Sequence, residues 1–341
     1  MAKIILTGAT GYVGGQVLNE LVQSGTKHSI SVLSRDTAKS KKISEVYPHI
    51  RVVQGSLDDL DVVEQEASKA DIVLNLASNK HLESMKVIHK ALAKREVSQP
   101  AYWIQISGAS VLAAQEVASG QTPGSPSSTV FDDLNDAPTL YRLIRAHPFR
   151  AVDNYMLDVA ENSPSIKSAL LFPPTIFGKG QGPVNQRSIQ IPTLAKTTLQ
   201  KGHGIRVGDG QSRWGNVHIR DLGRLITSLT NAATESPERE DLWGKNGLYL
   251  TGVGEMPFGE ISQRVQDAAI THGHVAPNAE IEVLTGSVID STLPAGSVFY
   301  GSNARGQANR AMELLKWQPK EGSLEEEIER AVIEEAANLR N

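Results

Sequence analysis

Three glycines, Gly8, Gly11 and Gly14, stand behind a short apolar run at the start of the chain, in MAKIILTGATGYVGGQVL. Residues 3–6 read as a buried strand, and Val13, Val17, Leu18, Leu21 and Val22 then recur at helical spacing. The glycines therefore lie on a strand-to-helix turn. Gly8 lets the turn be tight, Gly11 lets a backbone approach a pyrophosphate, and Gly14 lets the helix pack closely on the strand. The helix N-terminus then offers free N–H groups and its positive dipole end to phosphates. An ordinary glycine turn is the plainer reading. The strand before it and the helix after it favour a nucleotide site at the edge of a doubly wound sheet.

The first half continues in the same alternation. Strands are expected at 29–33, 50–54, 71–76, 103–107 and 169–172, and a helix at 81–95 with Met85, Ile88 and Leu92 on one face. Such alternation implies right-handed crossovers and an α/β fold built on a parallel, doubly wound sheet. After Phe172 the pattern loosens into helices at 185–199, 219–232, 258–271 and 323–339, the last opened by Ser323 and Glu326 at capping-box spacing. With 341 residues the chain suits one large unit or two coupled domains. Residues 1–180 are read as the nucleotide-binding domain, joined by the strands and helix of 216–252. Residues 181–215 and 253–341 are read as a smaller substrate-binding region that walls a cleft. The stretch 113–139, containing SGQTPGSPSSTV, follows the carboxyl end of a strand and reads as a mobile lid or a solvated insertion loop.

Composition narrows the function. The 34 Lys and Arg against 38 Asp and Glu leave a net charge of −4, with both signs spread along the chain. No basic stretch calls for nucleic acid. There are no cysteines, which excludes disulfides and thiolate chemistry, and the scattered histidines offer no metal spacing. No apolar run is long enough to span a membrane, and the immediate entry into a core strand is unlike a cleaved signal, so a cytoplasmic location is expected.

The end of the second strand bears on the nucleotide. Folds that bind NAD place an acid there for the ribose 2′-hydroxyl. Here Ser34 makes room and Arg35 can pair with a 2′-phosphate, so NADP(H) is expected over NAD(H). Asp36, one place later, would face the ribose if the turn shifted slightly. Ser56 and Leu57 after the third strand would border the adenine. Leu76, Ala77 and Ser78 after the fourth would border the pyrophosphate and nicotinamide ribose.

These residues resemble a known family. TGATGYVG, GSLDD, NLAS and ISGAS are similar to motifs of the extended and atypical short-chain dehydrogenase/reductases, which include NAD-dependent epimerase/dehydratase-like and NmrA-like proteins on a Rossmann fold. FPPTIFGKGQG at 172–182, GDGQSRWGNVHIRDLGRLI at 208–226 and LLKWQPKEGSLEEEI at 314–328 extend the likeness over nearly the whole chain. The resemblance implies that Thr7, Gly8, Thr10, Gly11, Tyr12 and Val13 hold the pyrophosphate, and that Phe172, Pro173, Thr175 and Ile176 lie beside the nicotinamide carboxamide. It makes Ser107 the catalytic serine and Arg213 a substrate contact, with Asn79, Ser110 and Arg150 as further substrate candidates. His218 and Asp221 fall in a segment with a mainly structural role.

The pattern breaks at its chemical centre. The family uses a Tyr-x-x-x-Lys pair, the lysine lowering the tyrosine pKa from the same helix face. This chain carries TLYRLIRAHPFRAVDNYMLDVA instead. If Asp153 is aligned with the acid that follows the family lysine, Arg145 and Phe149 occupy the two catalytic positions and both are lost. Pro148 also argues that a helix starts near Phe149, not before it. Alternatively Tyr141 and Arg145 have the right mutual spacing, although arginine cannot donate its proton. His147, just before the helix, is a further acid/base candidate.

Three functions stay open: an NADP(H)-dependent oxidoreductase acting on a small organic carbonyl or alcohol with a non-standard acid, an NmrA-like NADP(H)-sensing regulator with a protein partner, and an isomerase-type enzyme without net redox. A small-molecule substrate suits the first and third. A homodimer is a further expectation from the resemblance.

Overall fold

The computed structural model describes residues 1–25 and 28–340. The apolar runs become β1 (Lys3–Thr7), β2 (Ser29–Ser34), β3 (Arg51–Gln54), β4 (Ile72–Asn75), β5 (Ala101–Ile106), β6 (Ile166–Phe172) and β7 (Leu248–Leu250). They form one parallel sheet in the order β7-β6-β5-β4-β1-β2-β3. The chain thus winds outward in both directions from the β1–β4 boundary. The crevice that such a reversal leaves at the carboxyl ends of the strands is where this architecture takes a ligand.

The principal helices are α1 (Tyr12–Gln23), α2 (Thr37–Val46), α3 (Leu60–Lys69), α4 (Leu82–Leu92), α5 (Ala137–Arg145), α6 (Ala151–Asn162), α7 (Gln190–Lys201), α8 (Ile219–Glu235), α9 (Phe258–Thr271) and α10 (Leu324–Asn338). Alternation along β1 sorts the two cores. Ile4 and Leu6 join Val17, Leu21, Leu225 and Leu229 of α1 and α8 on one face, whereas Ile5 joins Val63, Met85 and Ile88 of α3 and α4 on the other. Met85, Ile88 and Leu92 are therefore sheet-facing core and not an exposed docking stripe. Helices α7, α9 and α10 pack on one another beyond the sheet. Two small sheets lie among them. One is ordered Gly254–Pro257, Arg213–His218, Thr175–Phe177, and the other pairs Ile205–Val207 with Glu282–Leu284.

A polar ladder runs under the carboxyl edge of the sheet. Register sets Thr7 beside Asn75 and Asn75 beside Gln105. The Thr7 hydroxyl donates to Asn75 Oδ1 at 2.6 Å, and Asn75 Nδ2 donates to Gln105 Oε1 at 2.7 Å. Gln105 Nε2 then donates to the Ser78 and Ile106 carbonyls. Every member is buried and paired, which is the condition for tolerating such a network in a core.

The segment 113–139 is tied down along its length. Asn303 holds Glu116 and the Ser125 carbonyl, Gly124 N–H donates to the Gly301 carbonyl, and Phe131–Asp132 pairs with Gly306–Gln307. Asp133, fully buried, accepts the Leu250 N–H at 2.9 Å and the Arg310 N–H at 2.8 Å. His218 and Asp221 are also structural. The His218 ring accepts the Arg220 N–H to cap α8, and Asp221 accepts the N–H groups of Lys320 and Glu321. Ser323 stands at the N-cap of α10, but its hydroxyl makes no capping bond, so the expected capping box does not form. Among the described residues no helix is long and apolar enough to cross a membrane, and no three His, Asp or Glu side chains are grouped to hold a metal.

Burial pushes the Asp133 carboxyl up to about 7, against the opposing pull of its two N–H partners and Arg310. Its folded-state value exceeds its unfolded one, so its contribution to stability is full below about pH 4 and drains away as pH rises through about 7. Asp133→Asn should remove that pH-dependent component and leave one backbone N–H without an acceptor. The expected cost is about 1–3 kcal/mol in denaturant unfolding at neutral pH.

Candidate active site

The dinucleotide cradle is built by the first turn. Gly8 takes φ of 84°, and Gly11 N–H closes the turn onto the Gly8 carbonyl at 2.8 Å. A Cβ on Gly14 would lie 2.3 Å from the Gly8 carbonyl oxygen, so α1 can approach β1 this closely only with glycine there. The first turn of α1 carries no acidic residue and no side-chain cap, which leaves its N-terminus open to an anion. These features fit a pyrophosphate. Thr10, Tyr12 and Val13 lie partly exposed at this turn, and Thr7 is buried beneath it, its hydroxyl also accepting the Ala77 N–H. The Tyr12 hydroxyl donates to the Gly178 carbonyl at 2.5 Å, and Gln16 accepts the Gln181 N–H. The loop that follows Thr175–Phe177 is thereby fastened over the start of α1.

At the adenosine end, Ser34 is buried and accepts a hydrogen bond from Ser40. Arg35 is exposed, with no side-chain hydrogen bond or ion pair among the described residues. Asp36 is occupied. Its carboxylate caps α2 by accepting the Lys39 N–H at 3.0 Å, and that bond holds its pKa below the usual range. Ser56 and Leu57 form the turn after β3, where Asp59 accepts the Ser56 N–H. His81 caps α4 through Nδ1, so its other nitrogen donates to Asp58 at 2.9 Å.

At the other end of the cleft, Ser107 follows β5 and gathers a compact cluster. Its Oγ lies 2.6 Å from Asp153 Oδ1 and accepts from Arg150 Nη2 at 2.9 Å. Arg150 Nε donates to Asp153 Oδ2 at 2.6 Å, and its Nη1 donates to Ser110 Oγ at 3.1 Å. Nη2 also reaches the Gly108 carbonyl at 3.3 Å. A Cβ on Gly108 would stand 3.8 Å from Asn79 Nδ2 and 4.0 Å from both Ser110 Oγ and the Pro173 carbonyl. Asn79, Ser107, Ser110, Arg150 and Pro173 thus surround one spot. Phe172 and Thr175 are buried behind it, and the Thr175 hydroxyl has no partner among the described residues. Ile176 is half-buried beside Val217.

The helix break at Pro148 creates the cluster. Helix α5 ends at Arg145 and α6 begins at Ala151, so Arg150 stands at the N-cap of α6 with its side chain swung back toward β5. Asn154 Nδ2 lies within 3.2 Å of the carbonyls of Ile144, His147 and Arg150, which also accept the N–H groups of His147, Arg150 and Asn154, so the amide ties the two sides of the break together. In the sequence, Asp153 aligns only with the acid that follows the lysine in the family's pattern. Its role as partner of Ser107 depends on where the break aims Arg150.

Tyr141 and Arg145 do not join this cluster. The Tyr141 hydroxyl donates to Glu161 at 2.5 Å, and Arg145 pairs with Asp158 and Glu161. Glu161 lies eight residues beyond Asp153, about 12 Å along the helix axis. Burial and the Glu161 charge raise the Tyr141 pKa, the opposite of what an acid/base tyrosine needs. His147 is buried, donates from Nδ1 to the Leu143 carbonyl and meets Phe149 edge-on. Arg213 faces Glu255 on the neighbouring strand of its small sheet.

A profile of the NAD dependent epimerase/dehydratase family matches residues 4–242. The chain is 33% identical to the oxidase ucsJ of an Acremonium species, over 99% of this chain and 98% of that one. This establishes the family. The chain belongs to the NAD dependent epimerase/dehydratase family of extended short-chain dehydrogenase/reductases. An uncharacterized protein of Saccharomyces cerevisiae is 24% identical over 76% of this chain and 78% of its own length. The fold is shared with the UDP-glucuronic acid 4-epimerase of Bacillus cereus, solved with NAD and UDP-glucuronic acid, at TM-score 0.65 and 14% identity over 99% of both chains. It is also shared with the dTDP-glucose 4,6-dehydratase of Bacillus anthracis, solved with NAD, at TM-score 0.63 and 15% identity over 100% of this chain and 98% of that one. Within this family the cluster of Ser107, Arg150 and Asp153 is the feature to explain.

Tyr141→Phe should leave nucleotide affinity unchanged in a fluorescence titration and lower Tm only slightly, because the lost bond to Glu161 is solvent-exposed. Gly14→Ala should weaken nucleotide binding and lower Tm together, because its methyl group must push the turn and α1 apart.

Proposed function

We propose that this protein is an NADP(H)-dependent oxidoreductase that acts on a small organic carbonyl or alcohol without a tyrosine–lysine pair. The convergence of Ser107, Ser110 and Arg150 on one spot at the carboxyl edge of β5 carries this reading. The name of its relative in Acremonium, an oxidase, supports redox chemistry. The free Arg35 and the occupied Asp36 support a 2′-phosphorylated dinucleotide over NAD(H).

When bound, the dinucleotide supplies or takes up the hydride. The chain's own groups handle the oxygen. Arg150 is held by Ser107, Ser110, the Gly108 carbonyl and Asp153, so its charge is fixed in place before a substrate arrives. A fixed positive charge beside a carbonyl oxygen that is gaining electron density lowers the barrier without reorganisation. Ser107 offers the nearest hydroxyl for the proton. Ser110, bonded to Arg150, and Asn79 next to Gly108 orient the substrate.

One observation favours a second reading, an NADP(H) sensor of the NmrA-like kind: Tyr141 is bonded to Glu161 and not to Ser107. Fluorescence titration with the four nucleotides, followed by deuterium transfer from labelled NADPH to a panel of carbonyl compounds, separates the two. Similar affinity for NADPH and NADP⁺ together with label transfer is the expected result. Strong preference for one redox state without transfer to any compound would favour the sensor. Arg35→Ala should weaken NADPH binding about 10–100-fold, the worth of a charge-assisted pair, with little change for NADH. Equal loss for both would sink the 2′-phosphate assignment.

A further inference from the structure

A serine hydroxyl has one hydrogen and two lone pairs, and the surroundings of Ser107 account for two of the three. Arg150 Nη2 sits 2.9 Å from Oγ and can only donate, which takes one lone pair. Asp153 Oδ1 sits 2.6 Å away, and what it takes depends on its own proton. A carboxylate can only accept, so Ser107 gives it the hydrogen and turns its free lone pair to the cleft. A carboxylic acid can donate, so both lone pairs are filled and the hydrogen of Ser107 must point to the cleft.

We propose that the proton on Asp153 sets the direction in which Ser107 hydrogen-bonds to substrate, making Ser107 a donor to a carbonyl when Asp153 is protonated and an acceptor from an alcohol when it is ionised. This rests on the oxidoreductase reading above. In the reducing direction Ser107 passes its proton to the substrate oxygen as Asp153 passes its own to Ser107. The reduced nicotinamide dinucleotide gives a hydride to the carbon. One proton and one hydride convert C=O into CH–OH, the dinucleotide is left oxidised, and Asp153 is left as a carboxylate facing Arg150 Nε at 2.6 Å. Oxidation reverses each transfer. Asp153 acts through Ser107 and is a positioning residue.

The surroundings of Asp153 suit a proton that comes and goes. Its side chain is buried on α6, and burial raises its pKa against the opposing effects of Arg150 and Ser107. Arg150 is the one charge acting on it among the described residues, and the end of β5 contributes only the Ser107 hydroxyl. His147, in the turn before α6, is spent on the Leu143 carbonyl. A fully ionised Asp153 would serve as a mere anchor for Arg150. A group that can both hold and release its proton can serve both directions.

The test is an infrared titration of the full chain with carbon-13-labelled aspartate, compared with Asp153→Asn. A protonated-carboxyl band present in acid, lost as pH rises and missing from Asp153→Asn is the expected result. Ser107→Ala should move that loss to higher pH, because the hydroxyl no longer stabilises the carboxylate, while NADPH affinity stays within about twofold. A purely structural carboxylate would show no such band at any pH at which the protein is folded, and that result overturns the proposal. So does a titration that Ser107→Ala leaves in place. If Asp153→Asn fails to fold, Ser107→Ala carries the test alone. NADPH titration of the unaltered protein keeps the two readings apart. Binding without the carboxyl titration removes only the role of Asp153, whereas no NADPH binding removes the oxidoreductase reading itself.

Discussion

A carboxyl group buried under the end of a parallel sheet must find partners, and the arrangement of the whole cleft follows from the partners that Asp153 finds. Ser107 reaches it from β5, and Arg150 reaches it from the N-cap of its own helix. Arg150 can do so only because Pro148 ends one helix and lets the next begin at Ala151. An unbroken helix would carry residue 150 on through regular turns, with its side chain directed by helical geometry. The Asn154 amide braces the interruption by bonding the carbonyls of Ile144, His147 and Arg150 in addition to their backbone partners. The same short segment thus installs a guanidinium and a carboxyl group beside Ser107.

The cleft is also braced by polar bonds on several sides. The polar ladder from Thr7 through Asn75 to Gln105 holds three strand ends in register beneath the cofactor edge. The segment 113–139 is joined to residues 301–310 by side-chain, backbone and strand-pairing bonds, with Asp133 as its buried anchor. Trp317 donates from its ring to the Asp221 carbonyl and draws the chain's last third onto α8. Fixed groups of this kind favour a preformed polar site over one assembled on binding, and a preformed site is what electrostatic stabilisation of a developing charge requires.

Much of this was legible in the residues. The three opening glycines, the alternation of strands and helices, and the motif order from TGATGYVG to LLKWQP identified the fold and the cofactor edge, because each depends on local rules of period, turn and cap. Pro148 even located the break between α5 and α6. Less local features were harder to read. Ser323 and Glu326 have capping-box spacing, yet the bond is not made. Tyr141 and Arg145 have the spacing of a catalytic pair, yet both turn to Glu161 on the far turns of α6. Asp36 has the position of a ribose-binding acid, yet its carboxylate caps α2.

What the sequence alone determined was the parallel sheet, its nucleotide-binding turn and the absence of the Tyr-x-x-x-Lys pair, all of which follow from residue type and spacing along the chain. What only the tertiary structure decided was the set of groups that meet at Ser107. Arg150 and Asp153 lie 43 and 46 positions from it. Their convergence depends on how a broken helix packs against the sheet, and no local periodicity encodes the direction in which a capping arginine will turn.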